Sequence, residues 1–160
     1  MNTGELNPTT MEIIEWRKEN YTISTDKTKI DIDVVHTYLS RDSYWAQHVP
    51  MAIVQRSIEH SLCFGVYEEG RQIGFARIIS DFATFAYLAD VFILPEQRGN
   101  GLSKWLMQVI VDHPHLQGLR RFLLTTKDAH GLYSQFGFIP YPQPERMMTR
   151  HNPGYIPVKK

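Results

Sequence analysis

Apolar positions in this chain repeat with two periods, and the places where the period changes outline the elements. Ile13 to Trp16 and Tyr21 to Ser24 read as two short strands joined through Lys18-Glu19-Asn20. Asp31 can cap a helix that carries Ile32, Val35 and Leu39 on one face, at spacings of three and four. A second helix starts near Pro50, which the first helical turn tolerates, and turns Met51, Val54 and Ile58 inward. Between these helices the stretch 41–49 mixes aromatic and polar residues and reads as a loop. The period then drops to two. Leu62 to Tyr67 and Gln72 to Ser80 form a predicted hairpin around Glu68-Glu69-Gly70-Arg71. In its second strand Ile73, Phe75, Arg77 and Ile79 alternate with Gly74, Ala76 and Ile78. A long strand over Thr84 to Leu94 follows.

Beyond Leu94 the helical period returns. Leu102, Trp105, Leu106, Val109 and Ile110 make one apolar stripe that ends by Pro114. Arg121 to Thr126 is a compact apolar strand, and Ala129 to Phe136 a short helix stopped by Gly137. Phe138 to Tyr141 and Arg146 to Thr149 read as closing strands around Pro142 and Pro144. Hairpins in the first half and strand–helix alternation in the second predict a mixed α/β sheet. Residues 1–10 read as a flexible polar tail, and 11–160 as a single domain.

The chemistry concentrates where the long strand meets the third helix, in Pro95-Glu96-Gln97-Arg98-Gly99-Asn100-Gly101-Leu102-Ser103-Lys104. A strand, a glycine-bearing turn and a helix N-terminus in that order make a nest of backbone N–H groups that favours an anion. Gly99 and Gly101 keep Cβ atoms away from that nest, while Arg98 and Lys104 add positive charge. The loop lacks the four-residue gap and Gly-Lys-Ser/Thr ending of a Walker A motif. It also lacks the third glycine of the dinucleotide fingerprint.

Arg98-Gly99-Asn100-Gly101-Leu102-Ser103 instead resembles the Arg/Gln-x-x-Gly-x-Gly/Ala loop of the GNAT superfamily of acyl-CoA-dependent N-acyltransferases, with Ser103 at the Gly/Ala position. Ala129, Leu132, Tyr133, Gly137 and Phe138 resemble that family's closing segment, whose short helix ends in Leu-Tyr-x-x-x-Gly-Phe. Thr126 stands where many members carry an asparagine. The resemblance covers roughly residues 20–150. It implies a mostly antiparallel mixed sheet, with central parallel strands splayed apart and helices on both faces. It implies acetyl-CoA as acyl donor and no metal. Phe92 and Ile93 would face the pantetheine and thioester through their backbone, and the loop from Arg98 through Gly99, Asn100, Gly101, Leu102 and Ser103 to Lys104 would hold the pyrophosphate. Thr126 would lie beside the pantetheine, and Tyr133 beside the sulfur as general acid.

A phenol with an ordinary pKa of about 10 stays protonated at neutral pH and can donate to a departing thiolate. Asp90 is either a base placed before the loop or a structural carboxylate paired with Arg77 across the hairpin. Strand alternation sets it on the face of Leu88 and Phe92. Asp81, His48 and His36 are further candidates, and an amine that arrives neutral needs no dedicated base. The acceptor pocket would draw on Tyr44, Trp45, Arg77 and Tyr87, and the aromatic rings among them suit a flat or cationic amine.

Composition removes several other classes. Seventeen basic residues balance seventeen acidic ones, so no net field attracts nucleic acid or an anionic membrane. No apolar run approaches the roughly 20 residues of a span. Cys63 is the sole cysteine, which excludes an internal disulfide and fits a cytoplasmic protein. It reads as a small buried hydrophobe. His113 and His115 have no acidic or cysteine companions at ligand spacing, so a metal site is not expected. The expected activity is acetyl transfer to a small-molecule primary amine. Acetylation of a protein or peptide and non-enzymatic acyl-CoA sensing are the alternatives, and the family's habit of pairing through terminal strands makes a homodimer through 138–150 conceivable.

Overall fold

A computed structural model describes residues 11–153, so the N-terminal tail expected over 1–10 lies outside the described residues. Six strands form one sheet in sequence order: β1 (Glu15–Lys18), β2 (Tyr21–Ser24), β3 (Leu62–Glu68), β4 (Arg71–Ser80), β5 (Phe85–Ile93) and β6 (Arg121–Leu124). Neighbours pair antiparallel through β5, and β5 then pairs parallel with β6. Among the described residues four α-helices flank the sheet: α1 (Ile32–Thr37), α2 (Met51–Glu59), α3 (Leu102–Val111) and α4 (His130–Ser134).

The helix starts follow from their caps. The Asp31 carboxylate accepts the Val34 N–H at 3.2 Å, and Pro50 leads into α2 without needing a donor. The β3–β4 hairpin closes through Glu69 and Gly70, with φ of 47° and 84°. Two successive left-handed residues are what a tight two-residue turn between twisted strands requires.

The sheet has a core on each face. Phe64, Val66, Ala76, Ile78, Leu88, Leu106, Met107 and Ile110 pack together on the α3 side. Val35, Leu39, Val54, Ile58, Cys63, Phe75 and Phe92 pack on the α1–α2 side. Each fully buried large side chain contributes about 2 kcal/mol of transfer free energy. Met107 is fully buried although it lies off the stripe read from sequence, whereas Met51 is only half-buried.

Several sequence expectations shift. The first strand runs over Glu15–Lys18, two residues later than expected, and α4 is shorter than 129–136. The register slips between Val66 and Tyr67, and Ile73 joins the cluster of Ala76 and Ile78 rather than that of Phe75. A second slip lies opposite Ala76, where Arg77 pairs with Ala89 but Phe75 pairs with Phe92. Asp90 and Val91 share that gap, and Asp90 has φ of +55°. The bulge inverts the alternation: Leu88 lies on the α3 face and Phe92 on the α1–α2 face, so Asp90 cannot share a face with both.

The closing strands expected over 138–141 and 146–149 do not form; among the described residues this segment is irregular, with one 3-10 turn at Pro144–Arg146. Pro140, Pro142 and Pro144 each lack the N–H a ladder needs. Among the described residues no helix is long and apolar enough to cross a membrane.

Candidate active site

β5 and β6 pair only from Phe85 with Arg121 to Leu88 with Leu124. Past that point their register ends, and a cavity of about 840 Å³ lies among the residues beyond it. Its walls include Trp45, Arg77, Asp90, Phe92, Thr126 and Tyr133. A second groove of about 310 Å³ runs along Gln97, Gly99, Gly101, Leu102 and Lys104. Ile93, Arg98, Ser103 and Leu132 line both, so the two lie side by side.

The groove is built by the turn before α3. Gly99 and Gly101 have φ of 87° and 74°, which a side chain would strain, and a Cβ on either would point into open space. Gly101 is the helix N-cap and no side chain caps that end, which leaves the first-turn amides facing the groove mouth. Asn100 is the exception among the predicted loop residues. Its amide donates to the Gln97 carbonyl at 3.1 Å, closing the turn from outside, and it lines neither cavity.

Arg98 is not a free cation above the nest. Its Nε donates to the Ile93 carbonyl at 3.1 Å and its Nη2 to Tyr38 Oη at 3.0 Å. Tyr38 in turn stacks on Phe92, with ring centroids 4.0 Å apart at 12°. Arg98 therefore braces the end of β5 against the chain just after α1. Lys104 keeps an exposed ammonium on the first turn of α3.

Asp90 receives two donors. Arg77 Nε donates to Oδ2 at 2.8 Å and Trp45 Nε1 donates to Oδ1 at 3.0 Å. The Arg77 and Asp90 side chains are 15% and 11% exposed, so this pair is largely desolvated. Arg77 Nη1 also donates to Ser61 Oγ at 3.2 Å. This is the structural pairing that the sequence offered as one of two readings.

Tyr133 stands in the wall of the larger cavity, half-buried on α4. Burial, with smaller contributions from Tyr44 and Asp128, pushes its phenol up to about 12. Thr126 Oγ1 accepts the Ala129 N–H at 3.0 Å and so shapes the turn that leads into α4. Tyr87 donates to Thr125 Oγ1 at 3.2 Å across the end of the β5–β6 ladder. Tyr44 accepts the Lys127 N–H at 2.9 Å. His36 binds the Val49 carbonyl, and Asp81 accepts N–H donors from its own turn; neither they nor His48 lines the cavity.

Sequence reasoning missed Tyr38, Asp42, Lys127, Asp128 and Leu132 as wall residues. Tyr38 was within reach, since it lies three positions beyond Val35, on the turn that continues the inward face of α1. Among the described residues no group of three or more His, Cys, Asp or Glu is placed to hold a metal.

The profile of the Acetyltransferase (GNAT) family matches residues 13–138. This chain belongs to that family and is an acetyltransferase by class. Among solved structures, a GNAT-family protein of Xanthomonas campestris pv. campestris is 57% identical, with a TM-score of 0.82, over 84% of this chain and 96% of that one. A Gibberella zeae protein named "Putative acetyltransferase FG08082" is 34% identical, over 75% of this chain and 79% of its own. A Clostridium acetobutylicum structure titled as a predicted acetyltransferase with acetyl-CoA shares the fold at 15% identity, with a TM-score of 0.58, over 82% of this chain and 95% of that one.

Proposed function

We propose that the protein transfers an acetyl group from acetyl-CoA to the primary amine of a small molecule by direct attack on the thioester. The observation that carries this reading is the wall that the two cavities share at Ile93, Arg98, Ser103 and Leu132. An amide-rich helix N-terminus adjoins a split between parallel strands, and a protonated phenol stands in the wall of that split. The amides of Leu102, Ser103 and Lys104, with the Lys104 ammonium, suit the pyrophosphate. The pantetheine would run along the unpaired edge of β5, beside the backbone of Phe92 and Ile93 and past Thr126.

In this reading the amine nitrogen attacks the thioester carbonyl carbon, the C–N bond forms and the C–S bond breaks. Tyr133 gives its phenolic proton to the departing thiolate. The ammonium nitrogen then loses a proton, which returns to the Tyr133 phenolate. Asp90, with both oxygens already engaged by Arg77 and Trp45, acts by holding the bulge in place rather than as the base. The amine therefore enters neutral or passes its proton through water. Arg77, Tyr87, Tyr44 and Trp45 shape the acceptor end.

Calorimetric titration with acetyl-CoA tests the coenzyme site. Saturable binding by the wild type should vanish in Gly101→Glu, which places both a strained side chain and an anion at the nest. Thermal unfolding shows that the variant is folded. Absence of binding by the wild type would overturn the reading. With binding in hand, thiol release is followed with tyramine, spermidine, glucosamine and a lysine-bearing peptide. Binding without turnover of any amine would favour an acyl-CoA sensor.

A further inference from the structure

Two neighbouring residues of the 41–49 loop reach opposite sides of the split between β5 and β6. Trp45 Nε1 donates to Asp90 on β5, at 3.0 Å, two residues past the last residue that this strand pairs with β6. Tyr44 Oη accepts the Lys127 N–H at 2.9 Å, three residues past the last paired residue of β6. The two rings meet edge to face, with centroids 5.1 Å apart at 83°. Both side chains are aromatic, yet they are 49% and 38% exposed, so neither is placed by core burial. Their polar tips are what fix them.

The base of this loop is itself rigid. Ser43 is buried, donates to the Leu39 carbonyl at 2.6 Å and accepts the Ala46 N–H at 3.1 Å. The Ser43 N–H donates to the Tyr38 carbonyl at 2.9 Å, closing the single π-type turn Tyr38–Asp42 that ends this helical stretch. The Lys127 ammonium also lies over the Tyr44 ring, 5.6 Å from its centroid. Each end of the crossing is thus anchored to something fixed.

We infer that Tyr44 and Trp45 form a two-point strap that ties β5 to the β6–α4 turn just beyond the end of their ladder. The inference rests on the proposed acetyl transfer only for its functional consequence. The strap sets the width of the split where the backbone ladder no longer does. It steadies the 125–129 turn that leads into α4 and Tyr133. It also lies across the acceptor side, where an extended polypeptide would otherwise cross the strand ends, so the site admits a small amine and turns away a lysine within a chain. Tyr44 and Trp45 are on this view positioning and specificity-determining residues.

Hydrogen exchange followed by NMR tests the strap without reference to activity. In the wild type the Lys127 amide and the Trp45 indole N–H should both be protected. Tyr44→Phe keeps the ring and removes the acceptor, and should speed Lys127 exchange roughly tenfold. Because the two anchors hold one strap, Trp45 indole exchange should rise with it. A Lys127 amide unchanged by Tyr44→Phe would overturn the inference. So would a change at Lys127 with none at Trp45, which would mean two independent contacts.

The specificity arm compares tyramine, spermidine and glucosamine with the lysine-bearing peptide. Tyr44→Ala should raise kcat/KM for the peptide relative to the best small amine by roughly tenfold or more. A wild type that uses the peptide as well as the small amines would overturn the closure. If the wild type acetylates none of them, the proposed function fails while the exchange experiment still decides the strap.

Discussion

At the scale of single residues, Tyr133 carries the sharpest expectation. Burial pushes its phenol up to about 12, so it holds its proton across the neutral range and is available to a thiolate. Tyr133→Phe should lower kcat by about 100-fold, the usual worth of one positioned acid, and leave the calorimetric Kd for acetyl-CoA unchanged. Equal loss of binding and turnover would instead mean that the ring merely packs, as its edge-on contact with Phe138 permits. Residues of this kind were legible in the sequence because their motif is local. Arg98 to Lys104 and Ala129 to Phe138 are contiguous stretches whose spacing survives without coordinates. Arg98 shows where that legibility stops: the motif names the residue, but not its side-chain partner Tyr38, sixty positions away.

At the scale of elements, the bulge in β5 sets Asp90 between Arg77 and Trp45. A non-glycine residue at φ of +55° is held there by two side chains, one from β4 and one from the 41–49 loop. Asp90→Ala removes the partner of a largely desolvated Arg77 and should destabilise the fold by about 3 kcal/mol, measured by urea unfolding. Asp90→Asn keeps an acceptor for Trp45 and tolerates the left-handed conformation, so its cost should be smaller. If Asp90 only positions, Asp90→Asn also retains the shape of the wild-type kcat/KM pH profile; loss of its acidic limb would make Asp90 the base. The bulge was invisible in the sequence because strict alternation is the default for an apolar strand. Phe138, Ile139, Met147 and Met148 misled in the opposite sense. They look like strand material, yet Ile139 and Met148 are 73% and 97% exposed in a segment broken by prolines. The strap was equally unreadable, since its hydrogen bonds join residues 83 and 45 positions apart.

At the scale of the whole molecule, stability should depend on pH through a group far from the chemistry. His113 is buried between the rings of Trp16, Phe64 and His115. Its Nδ1 accepts the His115 N–H at 3.2 Å. Burial, with a smaller effect from His115, lowers its pKa from 6.5 to about 4. The folded state therefore holds the neutral ring where the unfolded chain would take up a proton. Its stabilising contribution is complete above the unfolded pKa of about 6.5 and is lost as pH falls towards about 4, a change of up to about 3 kcal/mol. Urea midpoints measured across that window should fall in the wild type. They should fall less in His113→Asn, whatever that variant's absolute stability, the remaining slope near pH 4 coming from carboxylates such as Glu15 and Asp81 that the fold holds below their ordinary pKa. A wild-type midpoint that does not move would show that His113 titrates normally.

The lone thiol has a use in the laboratory. Cys63 is fully enclosed, its Sγ lies 3.6 Å from the Ile58 carbonyl, and burial pushes its pKa up to about 12. Since it is the chain's single cysteine, the folded protein offers a disulfide reagent almost no thiolate. A chromogenic assay for released coenzyme A thus runs with a silent background. Any slow rise in an enzyme-only control reports unfolding rather than catalysis, so one cuvette monitors turnover and integrity together.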